Sequence, residues 1–416
     1  MGLPSLCRKS QGTSERLVLA TAALHYCAGP KSLWHRGFRS PQSLRACLRP
    51  REHLARPWRL ARPTPPNEPA ATTYTTTNSQ VTSPCGSVVA GHAEREMSRP
   101  LPNLARITRL RELFLEERRA KRALGDYWRD PKDIEAYDAV LAARIGWKWD
   151  AALAECADRG FARADGQVVL DYGCGSGIAA RRFVEHFGAG ELLVHDRSAH
   201  AMTFALKSHA EATPRIPAKR LPAVRDAAPD VLLVSHVLAE LDQDGEDELR
   251  ALISRSKRVL IVEPGNRRVA RQLSQLRDEF LDTFYLQAPC PHQGTCPALT
   301  EANDWCHFFA TPPPEVFTDG FWARVARELN IDLRSLPYAF LAMCRKDAGP
   351  APPALEDPER LLGRAEILKH FARVRCCSDR GLELIEITKR HETKIWRALK
   401  KRPEQVRQAQ AERNKD

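Results

Sequence analysis

Residues 167–188, QVVLDYGCGSGIAARRFVEHFG, constrain the fold more than any other part of the chain. A short apolar run, Val168–Leu170, enters a turn with glycines at 173, 175 and 177, and an amphipathic helical pattern follows. Three further apolar runs come after it: GELLVHDRS, DVLLVSHVLAEL and KRVLIVEPG, with helical stretches between them. Strands alternating with helices at this spacing predict a parallel α/β sheet. The chain of 416 residues is long enough for two or three domains and a full-sized core. It holds no run of ~18 apolar residues, which excludes a membrane-spanning helix. No membrane association is expected, and a monomer is.

The glycine turn reads Asp171-Tyr172-Gly173-Cys174-Gly175-Ser176-Gly177, and a second acid, Asp196, closes the next strand. Glycines there let the backbone approach a ligand without a Cβ in the way. In doubly wound sheets the acid after the second strand can take ribose hydroxyls. A dinucleotide site prefers Gly-x-Gly-x-x-Gly, whereas here the third glycine comes two residues after the second. The turn instead resembles motif I of class I S-adenosylmethionine (SAM)-dependent methyltransferases. That resemblance implies a Rossmann-like fold, with Asp171, Gly173, Gly175 and Gly177 near the methionine moiety and Asp196 on the adenosine ribose. After the third strand, base-acting amino-methyltransferases often carry Asn/Asp-Pro-Pro-aromatic. Ser235-His236-Val237-Leu238 is not that turn. His236 and Glu240 are candidate bases, although structural roles at a strand-to-helix turn weigh more, and no residue identifies a methyl acceptor.

A second chemical signal begins at Cys290. Three cysteines (290, 296, 306) and two histidines (292, 307) lie within 18 residues, amid prolines and polar residues. Such a loop is held poorly by a hydrophobic core, and a metal can supply the missing cross-links. Zinc accepts Cys with His, while four thiolates suit an iron–sulfur cluster. A cluster needs a distant fourth cysteine, and Cys344, Cys376 and Cys377 are the candidates. Reduced cysteines that merely pack are the bland alternative. His292 and His307 are expected to orient the loop rather than to ligate.

The whole array resembles the methyltransferase-like proteins associated with the small ribosomal subunit, found in mitochondria and bacteria. The features are the motif I glycines, Val262-Glu263-Pro264-Gly265, the Cys-Pro-His, Cys-Pro and Trp-Cys-His-Phe block, and a late Cys before Lys389-Arg390-His391. The resemblance covers roughly residues 107–401. It implies a 4Fe–4S cluster beside a SAM-binding fold, and a role in small-subunit assembly or translation on rRNA, with an active rRNA methyltransferase as the alternative. A zinc-stabilised methyltransferase with a non-ribosomal substrate is the remaining one. The register of Cys377-Ser378-Asp379-Arg380-Gly381 against the family implies Cys377 as fourth ligand, with Cys376 beside it. One departure is the lack of Trp-Gly-Asp after the basic run, where Ile395-Trp396-Arg397 stands.

The charge balance separates the two ends of the chain. The net charge is +12, and residues 1–96 hold 13 Lys and Arg against 5 Asp and Glu. Basicity is thus mostly an N-terminal property. Residues 1–96 are rich in Arg, Pro, Ser and Thr without hydrophobic period. They read as a disordered extension, or as a spurious one if the true start is Met97; a mitochondrial transit peptide is the other reading. The cytoplasm is the expected compartment, with the mitochondrial matrix as alternative. Residues 97–165 are expected to be helical, 166–288 and 309–347 to form the methyltransferase-like domain, and 289–308 the Cys-rich loop. Within 355–416 the strands 371–377 and 382–388 form a hairpin, followed by a basic tail. That tail has ten Lys and Arg against four Asp and Glu from Lys389 on, and reads as a solvated helix or a phosphate-contacting one. The helix after Gly265 is a second candidate for the same basic surface.

Overall fold

The computed structural model describes residues 100–117, 126–353, 359–407 and 410. The expected extension, 1–96, lies outside the described residues. Three helices lead in: α1 (Leu104–Glu117), α2 (Pro131–Tyr137) and α3 (Ala143–Asp158), the last two joined by one π-helical turn, Asp138–Ala142. Then follow β1 (Val168–Tyr172), α4 (Ile178–Phe187), β2 (Glu191–His195), α5 (Ala199–Ala212), β3 (Ala218–Arg220) and β4 (Val231–Ser235). After these come α6 (Gln243–Arg255), β5 (Arg258–Pro264), α7 (Arg267–Glu279) and β6 (Phe284–Ala288). The chain continues through β7 (Phe308–Phe309), α8 (Glu315–Thr318), α9 (Gly320–Leu329) and β8 (Pro337–Arg345).

The large sheet runs β3-β2-β1-β4-β5-β8-β6, with β7 paired to β8. Strands β3 to β5 are mutually parallel, and β8 is antiparallel to both β5 and β6. A parallel sheet with one reversed strand inserted between the fifth and sixth is the Rossmann-like sheet of class I methyltransferases. The central strands are apolar along their whole length because helices cover both faces. Alternation sends Leu233, Leu260 and Val262 to the side of α3, α4 and α9, where Trp149, Phe183 and Val325 pack. It sends Leu232, Val259 and Ile261 to the side of α6 and α7, against Leu252 and Leu273. The short polar strand β3 carries no apolar pattern, and the sequence reading misses it.

The C-terminal segment differs from expectation in two ways. The hairpin is present as β10 (Phe371–Ser378) and β11 (Gly381–Thr388), but a third strand, β9 (Arg360–Ile367), pairs with β10. The tail helix α10 (Thr393–Lys401) is not solvated all round. Ile395, Trp396 and Leu399 are buried against Val374, Cys376 and Ile387 of the small sheet. Trp396 is therefore a packing residue, with the ammonium groups of Lys389 and Lys400 5.1 and 5.3 Å from its ring centre.

One buried ion pair ties the small sheet to the lead-in helices. Arg360 at the start of β9 donates to Glu155 of α3 at 2.6 Å, and both side chains are buried. Removing one partner of such a pair leaves the other charge desolvated and uncompensated. Glu155→Ala is expected to lower the unfolding free energy by about 3–5 kcal/mol. Urea denaturation checks it, and a loss below about 1 kcal/mol, the range of an exposed pair, would refute the tie.

Candidate functional site

The end of β1 opens onto a cavity of about 490 Å³. Its floor is the glycine turn, its sides are the ends of β2 and β4, and its cover comes from the lead-in helices. Gly175 has φ +52° and no atom within 4 Å of where a Cβ would stand, so a side chain there would project into open space. Gly173 has φ +68°, and a Cβ on it would meet Val237 Cγ2 at 2.5 Å. The turn and the β4 loop are thus packed backbone to side chain. Asp196 fixes the turn from the other side. One carboxylate oxygen accepts from Gly175 N and the other from Ser198 N, both at 2.9 Å. Burial raises its pKa, and the two amide bonds oppose that shift.

Gly173, Gly175 and Asp196 all line the cavity. Asp171 and Gly177, predicted with them, stand behind its wall. Asp171 is fully buried, and Ala180 N donates to it at 3.4 Å. Gly177 lies against Ala205 of α5, whose Cβ would be 3.0 Å from its own. These two residues hold the turn on the helix.

At the end of β4, His236 adopts φ +59°, a left-handed conformation uncommon outside glycine. The next two amides, of Val237 and Leu238, donate to Glu263 Oε1 at 2.9 and 3.1 Å. Glu263 is fully buried, and burial pushes its pKa up to about 7. His236 and Glu240 both reach the cavity wall. Glu240 is held there by Arg197 at 3.1 Å and the Tyr127 hydroxyl at 3.3 Å. Phe114, Tyr127, Trp128 and Tyr137 complete an aromatic wall, with ring centroids of neighbouring pairs 4.8–6.0 Å apart. The expectation of helices over residues 97–165 covers all four aromatics but gives none of them a place at the cavity. An aromatic pair just before a helix start was the one available signal.

The cysteine loop leaves β6 and returns at β7, packed along the length of α7. Arg271 of that helix donates to the carbonyls of Ala298, Glu301 and Asp304, at 2.8, 2.8 and 2.7 Å. Arg267 donates to Asn303 at 2.7 Å. The helix after Gly265, expected to add to a basic outer surface, thus spends these arginines on the loop. The thiols of Cys290, Cys296 and Cys377 act on Cys306, whose pKa is raised chiefly by burial and then by those three neighbours. Cys377 is pushed up to about 12 by burial, and then by Cys290 and Cys296. The four thiols are therefore mutual neighbours. Cys377 Sγ also lies 3.8 Å from His292 Nε2. Cys376, the next residue on β10, is buried in the small sheet's own core. Cys344 sits on β8, with Arg258, Arg345 and Asp347 as its charged neighbours. His307 stacks on Trp305 at 4.8 Å and 15°, and its carbonyl accepts from Gly363 N at 2.9 Å. Among the described residues, no three His, Cys, Asp or Glu side chains form a group that could hold a metal ion.

Residues 142–403 match the family model described as mitochondrial small ribosomal subunit Rsm22. The chain belongs to the Rsm22 family. Its match spans well over half the chain and takes in the glycine turn, the cysteine loop and the small sheet, but not the aromatic wall of the cavity. Among solved structures, similar chains include a candidate RNA methyltransferase from Pyrococcus horikoshii (13% identity, 57% of this chain and 98% of that one, TM-score 0.31). The plantazolicin methyltransferase BpumL with SAH is similar at 14% identity, 56% and 98% coverage and TM-score 0.34. Magnesium protoporphyrin IX methyltransferase from Synechocystis PCC 6803 with bound SAM follows at 12%, 58% and 97%, and 0.33. Likenesses this low say nothing of this Rsm22-family chain's substrate, and its fold rests on the strand order above. No curated protein matches the chain.

The Asp171 carboxyl gives a pH test of the turn. Burial pushes its pKa up to about 8, against an ordinary value of 3.8. The folded state then holds this proton more tightly than the unfolded state does. The resulting stability is full below about pH 4 and is lost as pH rises through about 8. Asp171→Asn is expected to flatten the fall in unfolding free energy between about pH 5 and about pH 9. Denaturant titrations of both proteins across that range measure it; parallel curves would show that Asp171 is not the group responsible.

Proposed function

We propose that this Rsm22-family chain is a SAM-binding, iron–sulfur-containing methyltransferase-like protein that binds rRNA in small ribosomal subunit assembly or translation. The observation that carries the reading is the cavity in which Gly173, Gly175 and Asp196 share one wall. Gly175 leaves open space for a ligand backbone to approach, and Asp196 retains lone pairs for ribose hydroxyls after accepting two amides. Bound SAM would supply an electrophilic methyl group. The chain's own contribution is to hold the cofactor on the turn and to cover it with the Phe114–Tyr137 aromatic wall, which excludes water. Asp171 and Gly177 support the turn from behind.

Active methyl transfer to rRNA is the second reading, favoured by the left-handed His236 on the cavity wall. Strained backbone of this kind clusters where a side chain must be aimed at a substrate. The acceptor-orienting Pro-Pro-aromatic turn is lacking, so assembly by binding comes first.

For the cysteine site, four thiols from two separate elements fit a 4Fe–4S cluster, with Cys290, Cys296, Cys306 and Cys377 as ligands. The rRNA reading is supported by α10, whose apolar face is buried while Lys394 and Arg397 point outward. The family's description favours the mitochondrial matrix over the cytoplasm, and no helix of the described residues is long and apolar enough to cross a membrane. A monomer is the working state.

Calorimetric titration with SAM tests the first site. Gly175→Arg is expected to abolish binding, and Asp196→Ala to weaken it by about 1–3 kcal/mol through lost charge-assisted hydrogen bonds. Unchanged affinity in both variants would remove the assignment. Ultraviolet crosslinking to ribosomal RNA, with small-subunit RNA as the expected partner, tests the second part of the reading.

For the metal, replacing any one of the four cysteines by Ser is expected to lower iron and sulfide content and to expose the loop and the small sheet to protease together. Metal-binding energy is folding energy for both segments. Cys344→Ser and the Ala variants at His292 and His307 should keep most of the iron. Full iron in Cys377→Ser with loss in Cys376→Ser would move the fourth ligand by one residue. Stoichiometric zinc without sulfide in anaerobically prepared protein would sink the cluster.

A further inference from the structure

The last turn of α7 presents a cation to the cysteine site. Arg277 is 2% exposed, and its Nε donates to Cys290 Sγ at 3.4 Å. One Nη of the guanidinium meets the carboxylate of Asp278. The other is buried without a hydrogen-bond partner. Asp278 in turn accepts from the backbone N–H of Cys296, with 3.1 and 3.0 Å to its two oxygens. The first two cysteines of the loop are thus held by adjacent residues of one helix, one through its sulfur and one through its amide.

A guanidinium stays charged at any pH the protein meets, and burying it is costly unless an opposing charge is close. Asp278 is shared with Cys296 and is itself partly exposed, so it offsets the charge only in part. A cluster on four thiolates carries net negative charge, and it becomes more negative when reduced.

We propose that Arg277 is the counter-charge of the cysteine site, a positioning residue that hydrogen-bonds the Cys290 sulfur and sets the reduction potential of the cluster. This rests on the iron–sulfur reading above. A positive charge and a hydrogen bond at a ligand sulfur stabilise the reduced form more than the oxidised one, which raises the potential. In the couple concerned one electron enters the cluster from a reductant and no bond breaks. Asp278 works in the opposite sense, because its carboxylate partly neutralises Arg277.

The test uses the full chain purified anaerobically, with iron and sulfide analysis followed by an optical redox titration with dithionite. R277Q is expected to lower the midpoint potential of the clusters it retains, and R277K to restore it toward that of the unaltered protein. D278N, at a more exposed position, is expected to raise it, since Asn can still accept from Cys296 N–H. A residue that only braces the loop would lower iron content in R277Q without moving the potential of the remaining clusters, and that result overturns the proposal. If R277Q yields no folded protein, D278N decides: an unchanged or lowered potential overturns the proposal. Unaltered protein without iron and sulfide removes the cluster reading, and this inference with it. A normal cluster whose potential ignores both substitutions removes this inference alone.

Discussion

The contact between Arg360 and Glu155 takes two charges out of water to join segments 205 residues apart in sequence. It sets where β9 lies against α3, and the hydrogen-bonded strand next to β9 carries Cys377. Arg360 also lies over the Phe308 ring, 4.7 Å from its centre, just after the cysteine loop. A second bond, from Gly363 N to the His307 carbonyl, fixes the same strand to the same loop. The arrangement of four thiols from two elements therefore depends on a buried pair that contributes no ligand. Such a pair adds little net stability against an apolar replacement, but losing either partner leaves the other charge buried and uncompensated.

The cavity depends on a different constraint, a chain of backbone contacts between strand ends. Glu263 at the end of β5 takes the amides of Val237 and Leu238, which holds the β4 loop. Val237 then packs where a side chain on residue 173 would stand, and Asp196 takes the amide of Gly175. Four neighbouring strands of a parallel sheet, β2, β1, β4 and β5, thus shape one opening at their carboxyl ends, where ligands of doubly wound folds bind. The motif residues divide by this geometry. Gly173, Gly175 and Asp196 face the opening, while Asp171 and Gly177 join the turn to α4 and α5.

The sequence by itself determined the parallel sheet and the glycine turn. Val168–Leu170, Val231–Val234 and Val259–Val262 are runs too apolar to lie anywhere but between two helical layers. It also marked the cysteine loop as a segment that many prolines and polar residues keep from making a core of its own. The helical character of the tail was legible as well, though not that Trp396 would be buried, since its partners Val374, Cys376 and Ile387 lie on strands of the small sheet.

Only the tertiary structure decided what depends on distant segments meeting. Between Cys376 and Cys377, two neighbours of identical chemistry, a strand's period of two sends one side chain to each face. Which face meets the loop follows from the docking of the small sheet, and that docking rests on Arg360 and Glu155. The placement of Arg277 beside Cys290 is equally invisible in sequence, where its helix reads as another basic surface. The aromatic wall follows the same rule: Tyr127 finds Glu240 because α1 to α3 fold over the strand ends, a contact with no local periodicity to announce it. Local pattern specifies elements through short-range backbone and solvent preferences. The chemistry here is assembled across elements, and packing alone chooses which side chains meet.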